Sequence, residues 1–185
     1  MTATIIINRL TSTGPTATPI TSATTRLKQA DNGTQDTNNP VPAVGTLDSN
    51  ASVSCWCVTR LECTVAPVTA VNNLFWYADN AAMATGTKLK GESATAYVQA
   101  PITGLTFGGA GELTVANYTG LTTPVIVGNA AAGGVYTSAA KKTMSGSTTT
   151  TEQFGDRFVY QLQVASAASP GVITAVLFTW QYDET

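Results

Sequence analysis

Histidine is absent from the 185 residues, and charged residues make up only 11% of them. Histidine is the side chain whose ordinary pKa lies nearest neutrality, so its absence excludes Ser-His and Cys-His nucleophilic pairs and removes the commonest metal ligand. The charged fraction is less than half of the roughly 25% typical of soluble proteins. This composition favours binding or assembly over catalysis, and we expect a protein that is not an enzyme.

Long apolar runs and a basic N-terminal region are also missing. No stretch reaches the roughly 18 apolar residues of a transmembrane helix, and residues 1–9 lack the pattern of a signal peptide. The formal net charge is −2, whereas binding to phosphates needs a clustered excess of Lys and Arg. We therefore expect synthesis in the cytoplasm and no membrane or direct nucleic-acid partner.

The residues that are abundant favour β-structure. The chain has 33 Thr, 26 Ala and 16 Gly, and 43% of its residues are hydrophobic, which is enough for a core. Short runs rich in β-branched and aromatic residues alternate with turn-forming Gly, Pro and Asn, and no amphipathic helix stands out. The pattern predicts an all-β protein, a β-sandwich of jelly-roll or immunoglobulin-like type. The predicted strands are 4–10, 52–65, 74–77, 94–98, 113–115, 125–127, 158–164 and 172–182.

The first 50 residues differ in composition from the rest. From residue 11 to residue 50 the chain is rich in Thr, Ser, Pro, Asn and Gly and has little periodicity. We expect residues 1–50 to form an extended N-terminal arm that either lies on a neighbouring subunit or stays mobile, and residues 51–185 to form the β-sandwich domain.

Three cysteines fall in the predicted strand 52–65. Cys55, Cys57 and Cys63 have the parity of the apolar residues of that strand. Three thiols without a histidine or a fourth cysteine do not complete a tetrahedral zinc site. We expect reduced thiols buried in the core, with no metal and no cofactor.

Strands 158–164 and 172–182 follow one another closely. In the first, Phe158, Tyr160 and Leu162 alternate with Gln161 and Gln163, and the residues between the strands are turn formers. This arrangement predicts a hairpin. Short helical turns are possible only at 24–30 and 130–142.

The middle of the chain is almost uncharged. Between Ser93 and Ala140 the single charged residue is Glu112. A large uncharged surface is typical of contact with another subunit, where aromatic residues are also enriched. The aromatic residues that we select as a candidate interface are Trp56, Trp76, Tyr77, Phe107, Tyr118, Trp180 and Tyr182.

Two other chemistries stay open. Exposed Trp56 or Trp76 would suit stacking on sugar rings, as in a carbohydrate-binding module or adhesin. A glycosidase needs two carboxylates about 5 to 9 Å apart, and the spacing of the acidic residues singles out no such pair. The acidic residues considered are Glu62, Asp79, Glu92, Glu112, Glu152 and Asp156.

Four segments carry a resemblance to a known group of proteins. The block 71–80 (VNNLFWYADN), the segments 85–89 (TGTKL) and 97–99 (YVQ), and the C-terminal 178–184 (FTWQYDE) together resemble small structural proteins of tailed bacteriophages. That group includes capsid decoration or cement proteins, which are commonly β-rich oligomers with extended arms.

The resemblance implies a place in the virion. It suggests a decoration protein on the capsid surface that forms dimers or trimers, binds the major capsid protein or other virion proteins, and strengthens the head. A tail, neck or connector protein is the alternative within the same group.

Overall fold

The computed structural model describes residues 2–20, 26–34, 37–79, 83–129, 133–169 and 176–185. These residues contain ten strands and no helix, so the expected all-β class is confirmed. The strands are β1 (Thr4–Thr11), β2 (Thr16–Pro19), β3 (Ser52–Val53), β4 (Cys57–Val65), β5 (Val71–Asp79), β6 (Thr87–Ala94), β7 (Val125–Asn129), β8 (Lys142–Met144), β9 (Gln153–Val164) and β10 (Leu177–Glu184).

The strands form two antiparallel sheets that pack as a sandwich. The large sheet has seven strands in the order β2-β1-β4-β9-β6-β7, with β3 paired to one end of β9. The small sheet has three strands in the order β10-β5-β8. Strand β9 is central because it pairs with β4 on one side and with β6 on the other, and its buried side chains alternate between the two faces of the sheet.

The first core lies between the two sheets. Trp76 of β5 stacks on Phe158 of β9, with ring centroids 3.5 Å apart and planes 9° apart. Tyr160, two residues further along β9, packs against Phe178 of β10 at 4.6 Å. Burial of such large rings contributes hydrophobic stabilisation between the sheets.

The second core lies on the opposite face of the large sheet. Val53, Val58 and Val159 of the sheet meet Leu113 and Tyr118 of residues 95–124, which form no strand. We call residues 95–124 the cover segment. The molecule therefore has three layers: the small sheet, the large sheet and the cover segment.

The predicted strand 52–65 is interrupted. It divides into β3 and β4, and between them the backbone N–H of Ser54 donates to Leu162 O and that of Cys55 donates to Lys28 O. The change of partner reverses the alternation, so that Cys55 lies in the second core while Cys57 lies in the first.

The predicted hairpin of 158–164 and 172–182 is wrong. Strand β9 lies between β4 and β6 in the large sheet, whereas β10 pairs with β5 in the small sheet. Segments 94–98 and 113–115 also form no strand beyond Ala94, because they belong to the cover segment or lead into it. Residues 172–175, 24–25 and 130–132 lie outside the described residues, and 26–30 and 133–142 contain no helix.

The extended N-terminal arm is not confirmed. Strand β1 lies inside the large sheet between β2 and β4, and Asn8, Arg9 and Leu10 are buried. Further along, Gln29 donates from Nε2 to Val53 O at 3.0 Å. From Thr37 to Val44, in contrast, most residues are exposed and irregular.

Candidate interaction surface

The seven aromatic residues selected from the sequence occupy different environments. Trp56, Trp76 and Tyr118 are fully buried, so their side chains offer no surface to a partner, and sugar stacking on either tryptophan is ruled out in this fold. Tyr77 and Phe107 are half-exposed. The other two, Trp180 and Tyr182, are partly buried against the first core.

Trp56 and Tyr118 hold the cover segment on the large sheet. Their rings meet edge to face at 5.4 Å, and Trp56 Nε1 donates to Val98 O at 3.0 Å. The Tyr118 hydroxyl donates to Ala96 O at 3.0 Å and accepts from the Val98 N–H at 3.2 Å. Burial raises the pKa of Tyr118 to about 12, which keeps this hydroxyl available as a donor.

Gln161 joins the cover segment to the centre of the large sheet. Its Nε2 donates to Ser54 O at 2.7 Å and to Gly111 O at 2.6 Å, and its Oε1 accepts from the Leu113 N–H at 2.7 Å. All three bonds are buried, so they satisfy backbone groups that water does not reach. The cover segment is thus a fixed layer and not a loose loop.

The outer surface of the cover segment is uncharged. Glu112, its one charged residue, is 7% exposed, and its carboxylate lies 3.4 Å from Lys90 Nζ of β6. At the same time Ile102 is 68% and Val115 is 55% exposed. The exposed residues of this layer are therefore Thr, Gly, Ala, Gln, Ile and Val.

A shallow groove marks one end of this layer. It has a volume of about 200 Å³ and lies between two parts of the cover segment, beside Lys90 of β6. The groove is lined by Lys90, Glu112, Leu113, Thr114, Val115, Thr123 and Pro124.

The opposite side of the molecule carries two half-exposed aromatic rings. Phe75 and Tyr77 lie two residues apart on β5 and point away from the first core, where Trp76 points inward. Lys141 Nζ lies 6.0 Å from the Phe75 ring centroid and 5.6 Å from that of Tyr77, and donates to Gln181 Oε1 at 2.7 Å. We call this surface the aromatic face. The parity of Phe75 with Tyr77 was visible in the sequence, but Phe75 was not selected.

The three cysteines are free and buried, as expected. Burial raises the pKa of Cys55 to about 11 and also raises the pKa of Cys63. Cys57 Sγ donates to the Tyr160 hydroxyl at 3.2 Å. The pKa shifts of Cys55 and Cys63 favour protonated thiols, which are poor nucleophiles.

The acidic residues are separately engaged. Glu62 accepts from Asn8, Glu152 accepts from Thr148, and Asp156 accepts from the Ser145 N–H. Within the described ranges, no group of three or more His, Cys, Asp or Glu side chains is placed to hold a metal ion. Asp79 is half-buried at the end of β5.

Glu92 forms a contact that the sequence did not reveal. Its carboxylate lies on β6 in the large sheet, 2.7 Å from Lys142 Nζ of β8 in the small sheet. It also accepts from the Tyr136 hydroxyl at 2.5 Å and from the Ser93 N–H at 2.7 Å. The ion pair therefore joins the two sheets at the margin of the first core.

Comparison of this chain with protein-family models, with curated proteins and with solved structures finds no match. In the part of the chain that the structure describes, no helix is long and apolar enough to cross a membrane.

Proposed function

We propose that this chain is a non-enzymatic virion structural protein, a decoration or cement protein that binds the major capsid protein lattice on the outside of a phage head. The observation that carries the proposal is the outer surface of the cover segment, a layer of 30 residues with no exposed charge. Removing charged groups from water is costly, so an uncharged surface is suited to permanent contact with protein.

The fold supports such a role mechanically. The sandwich supplies a stiff body, and Gln161 and Trp56 fix the cover segment to it. Exposed Ile102 and Val115 supply apolar contact area on a surface that is otherwise neutral. Weak contacts of this kind, repeated by the symmetry of a capsid, add up to tight binding.

In this proposal, only part of the predicted N-terminal arm contacts the capsid. Because β1 and β2 belong to the large sheet, the segment available to contact a neighbour is 37–44, which is held at Val41 against the first core and exposes Pro40, Pro42 and Val44. Ordering such a segment costs roughly 1 to 2 kcal/mol per residue, which contacts on the capsid must offset.

The proposed location on the outside of the head is tested with virions of the phage that would encode the chain. Electron microscopy gives the position in the particle, and mass spectrometry gives the number of copies. We expect many copies at symmetry-related positions on the head. Absence from the particle would contradict the proposal, and density confined to the tail, neck or connector would instead identify the alternative within the same group.

A charged substitution tests whether the outer surface of the cover segment is the contact with the head. We expect Ile102→Lys to lower the affinity for heads at least about tenfold, measured by cosedimentation, because the new ammonium must be desolvated or left unpaired in the contact. The matched control is Val68→Lys in the β4–β5 connection, where Val68 is 74% exposed compared with 68% for Ile102. Equal loss in both variants, or no loss in either, would count against the cover segment.

The aromatic face favours a second candidate, a carbohydrate-binding module. Phe75 and Tyr77 present two neighbouring rings beside the polar groups of Lys141 and Gln181, a combination suited to stacking and hydrogen bonding with sugars. A glycan array probed with the full chain tests it. Binding that is lost in Tyr77→Ala would favour this function, and an array without a signal would remove it.

A further inference from the structure

Strand β10 is an outer strand of the small sheet. It pairs with β5 on one side, and within the described ranges no strand or isolated bridge pairs with its other side. An open strand edge presents a row of N–H and C=O groups, and it pairs readily with a further strand.

The other outer strands carry features that discourage such pairing. β2 has four residues and ends at Pro19, and β8 has three residues that begin at Lys142. β7 follows Pro124 directly, and its Ile126 O already accepts from the Val135 N–H at 2.9 Å. Short length, proline and lysine are the usual protections of a sheet edge.

β10 lacks these protections. It has eight residues without proline or lysine, and from Leu177 to Tyr182 it is uncharged. Its first acidic residue, Asp183, lies near the C-terminal end of the strand. The edge is therefore long and neutral enough for a second strand to align with it.

The direction of the backbone groups follows from the pairing of β5. The Ala78 N–H donates to Tyr136 O at 3.0 Å, which places the backbone groups of Ala78 on the side away from β10. Since these directions alternate, Tyr77 bonds towards β10 and its partner Thr179 bonds towards β5. The N–H and C=O groups of Trp180 consequently point out of the sheet edge.

We propose that β10 pairs with β10 of a second copy of this chain, antiparallel, about a two-fold axis at Trp180. Phe178 then lies opposite Tyr182 of the second copy. The pairing of β10 with β5 shifts register between Gln181 and Asp183, but Thr185 and Ala70 bond each other reciprocally, so residue 185 faces β5 as Thr179 does. The backbone groups of Phe178, Trp180 and Tyr182 therefore point outward and form hydrogen-bonded pairs. The two small sheets become one six-stranded sheet. The same edge serves both copies, as a two-fold interface requires.

The side chains agree with this register. Asp183 lies opposite Leu177 of the second copy, so no acidic residues face one another. On the aromatic face Thr179 lies opposite Gln181 of the second copy, and both are uncharged and half-buried. A register shifted towards the C-terminus brings the acidic ends of the strands closer and pairs fewer residues.

Sedimentation equilibrium of the full chain tests the pairing. We expect a mass twice that of the 19.1 kDa chain. In the double variant Thr179→Lys with Gln181→Lys, the lysine at 179 of each copy lies opposite the lysine at 181 of the other copy. Because these like charges repel, we expect the dissociation constant of the dimer to rise at least about tenfold.

The matched control is Thr179→Glu with Gln181→Lys. It shares one substitution with the first variant and changes the same two positions, but it places opposite charges across the axis, so we expect it to dimerise like the unmodified chain. Thermal unfolding followed by circular dichroism checks that both variants are folded.

A cross-link tests the register directly. Residues 179 and 181 form a non-hydrogen-bonded pair across the axis, with Cα atoms roughly 4.5 Å apart, a separation that a disulfide spans. We expect Thr179→Cys with Gln181→Cys to form a covalent dimer on oxidation, whereas the unmodified chain, with three buried cysteines, does not.

A monomer, or a mass of three chains, would overturn the proposal, because this pairing closes at two copies. Equal weakening by both charge variants would overturn it as well. Neither result affects the particle-binding test with Ile102→Lys, so failure of the dimer and failure of the proposed function are distinguishable.

Discussion

Two opposing effects act on the pKa of Glu92, whose carboxylate lies between the two sheets. Burial disfavours the ionised carboxylate, but hydrogen bonds from Lys142, Tyr136 and the Ser93 backbone outweigh it, and the pKa of Glu92 is lowered. A carboxylate whose pKa is lower in the folded state stabilises the fold above its unfolded pKa of about 4.3, and this stabilisation is lost as the pH falls through the folded pKa.

We expect Glu92→Gln to lower the free energy of unfolding at pH 7 by about 1 to 3 kcal/mol, because Lys142 and Tyr136 lose a charged partner. The difference from the unmodified chain should shrink between pH 7 and pH 3, where Glu92 itself becomes protonated. Urea unfolding at the two pH values measures both effects.

Exposed Glu152 provides the comparison for this experiment. Glu152→Gln should change stability at pH 7 by less than about 1 kcal/mol, since solvent screens its contacts. If the free energy of unfolding of Glu92→Gln depended on pH as strongly as that of the unmodified chain, the Glu92–Lys142 ion pair would not be the source of this pH dependence.

At the scale of elements, the cover segment depends on a few buried polar contacts. Gln161 and Gln163 lie two residues apart on β9, face the same side and are equally buried. Gln161 bonds three buried backbone groups, whereas Gln163 Nε2 has no hydrogen-bond partner among the described residues and its Oε1 accepts one bond of 3.4 Å from the N–H of exposed Asp48. The two side chains thus form a natural pair for comparison.

We expect Gln161→Leu to destabilise the chain by about 2 to 4 kcal/mol, because it leaves the backbone groups of Ser54, Gly111 and Leu113 buried without partners. Gln163→Leu should cost less than about 1 kcal/mol. Hydrogen exchange at the Leu113 amide should become faster in the first variant alone. Similar unfolding energies for the two variants would mean that Gln161 does not hold the cover segment.

The same strand shows how far the sequence predicts the fold. The alternation of Phe158, Tyr160 and Leu162 with the glutamines correctly predicted which residues face the first core. It did not predict that Gln161 is buried, because its partners lie 48 or more residues away along the chain. Local periodicity reports the faces of a strand, but not what covers each face.

Whether a predicted site residue was placed correctly depends on whether its environment is set by its own strand or by a distant part of the chain. The opposite directions of Trp76 and Tyr77 follow from their adjacency on a strand, and the structure confirms them. Burial of Trp56 and Tyr118 depends on the cover segment folding back over the large sheet, which no local pattern encodes. The break between β3 and β4 likewise arises from distant partners, Lys28 and Leu162.

For the whole molecule, strands β1 and β2, which precede residue 51, are part of the large sheet. β1 contributes buried Asn8, Arg9 and Leu10, and it covers one side of β4 along seven paired residues. Removing β1 would leave β4 as an open edge of the large sheet. It would also expose the part of the first core against which Ile5 and Ile7 pack.

We expect a chain that lacks residues 1–19 to lose the cooperative unfolding transition, followed by circular dichroism during heating. Val44→Ser in the exposed segment should change stability by no more than about 0.5 kcal/mol, since Val44 lies at the surface. A truncated chain that melts like the full chain would restore the interpretation of residues 1–50 as a separate arm.

The pairing of β4 with β9 has a consequence during synthesis. Cys57 and its partner Tyr160 are 103 residues apart, so β4 waits for its central neighbour for about 5 to 20 seconds at translation rates of about 5 to 20 residues per second. The large sheet cannot close on a nascent chain that has not yet exposed β9. We therefore expect the large sheet to form only after β9 has been synthesised.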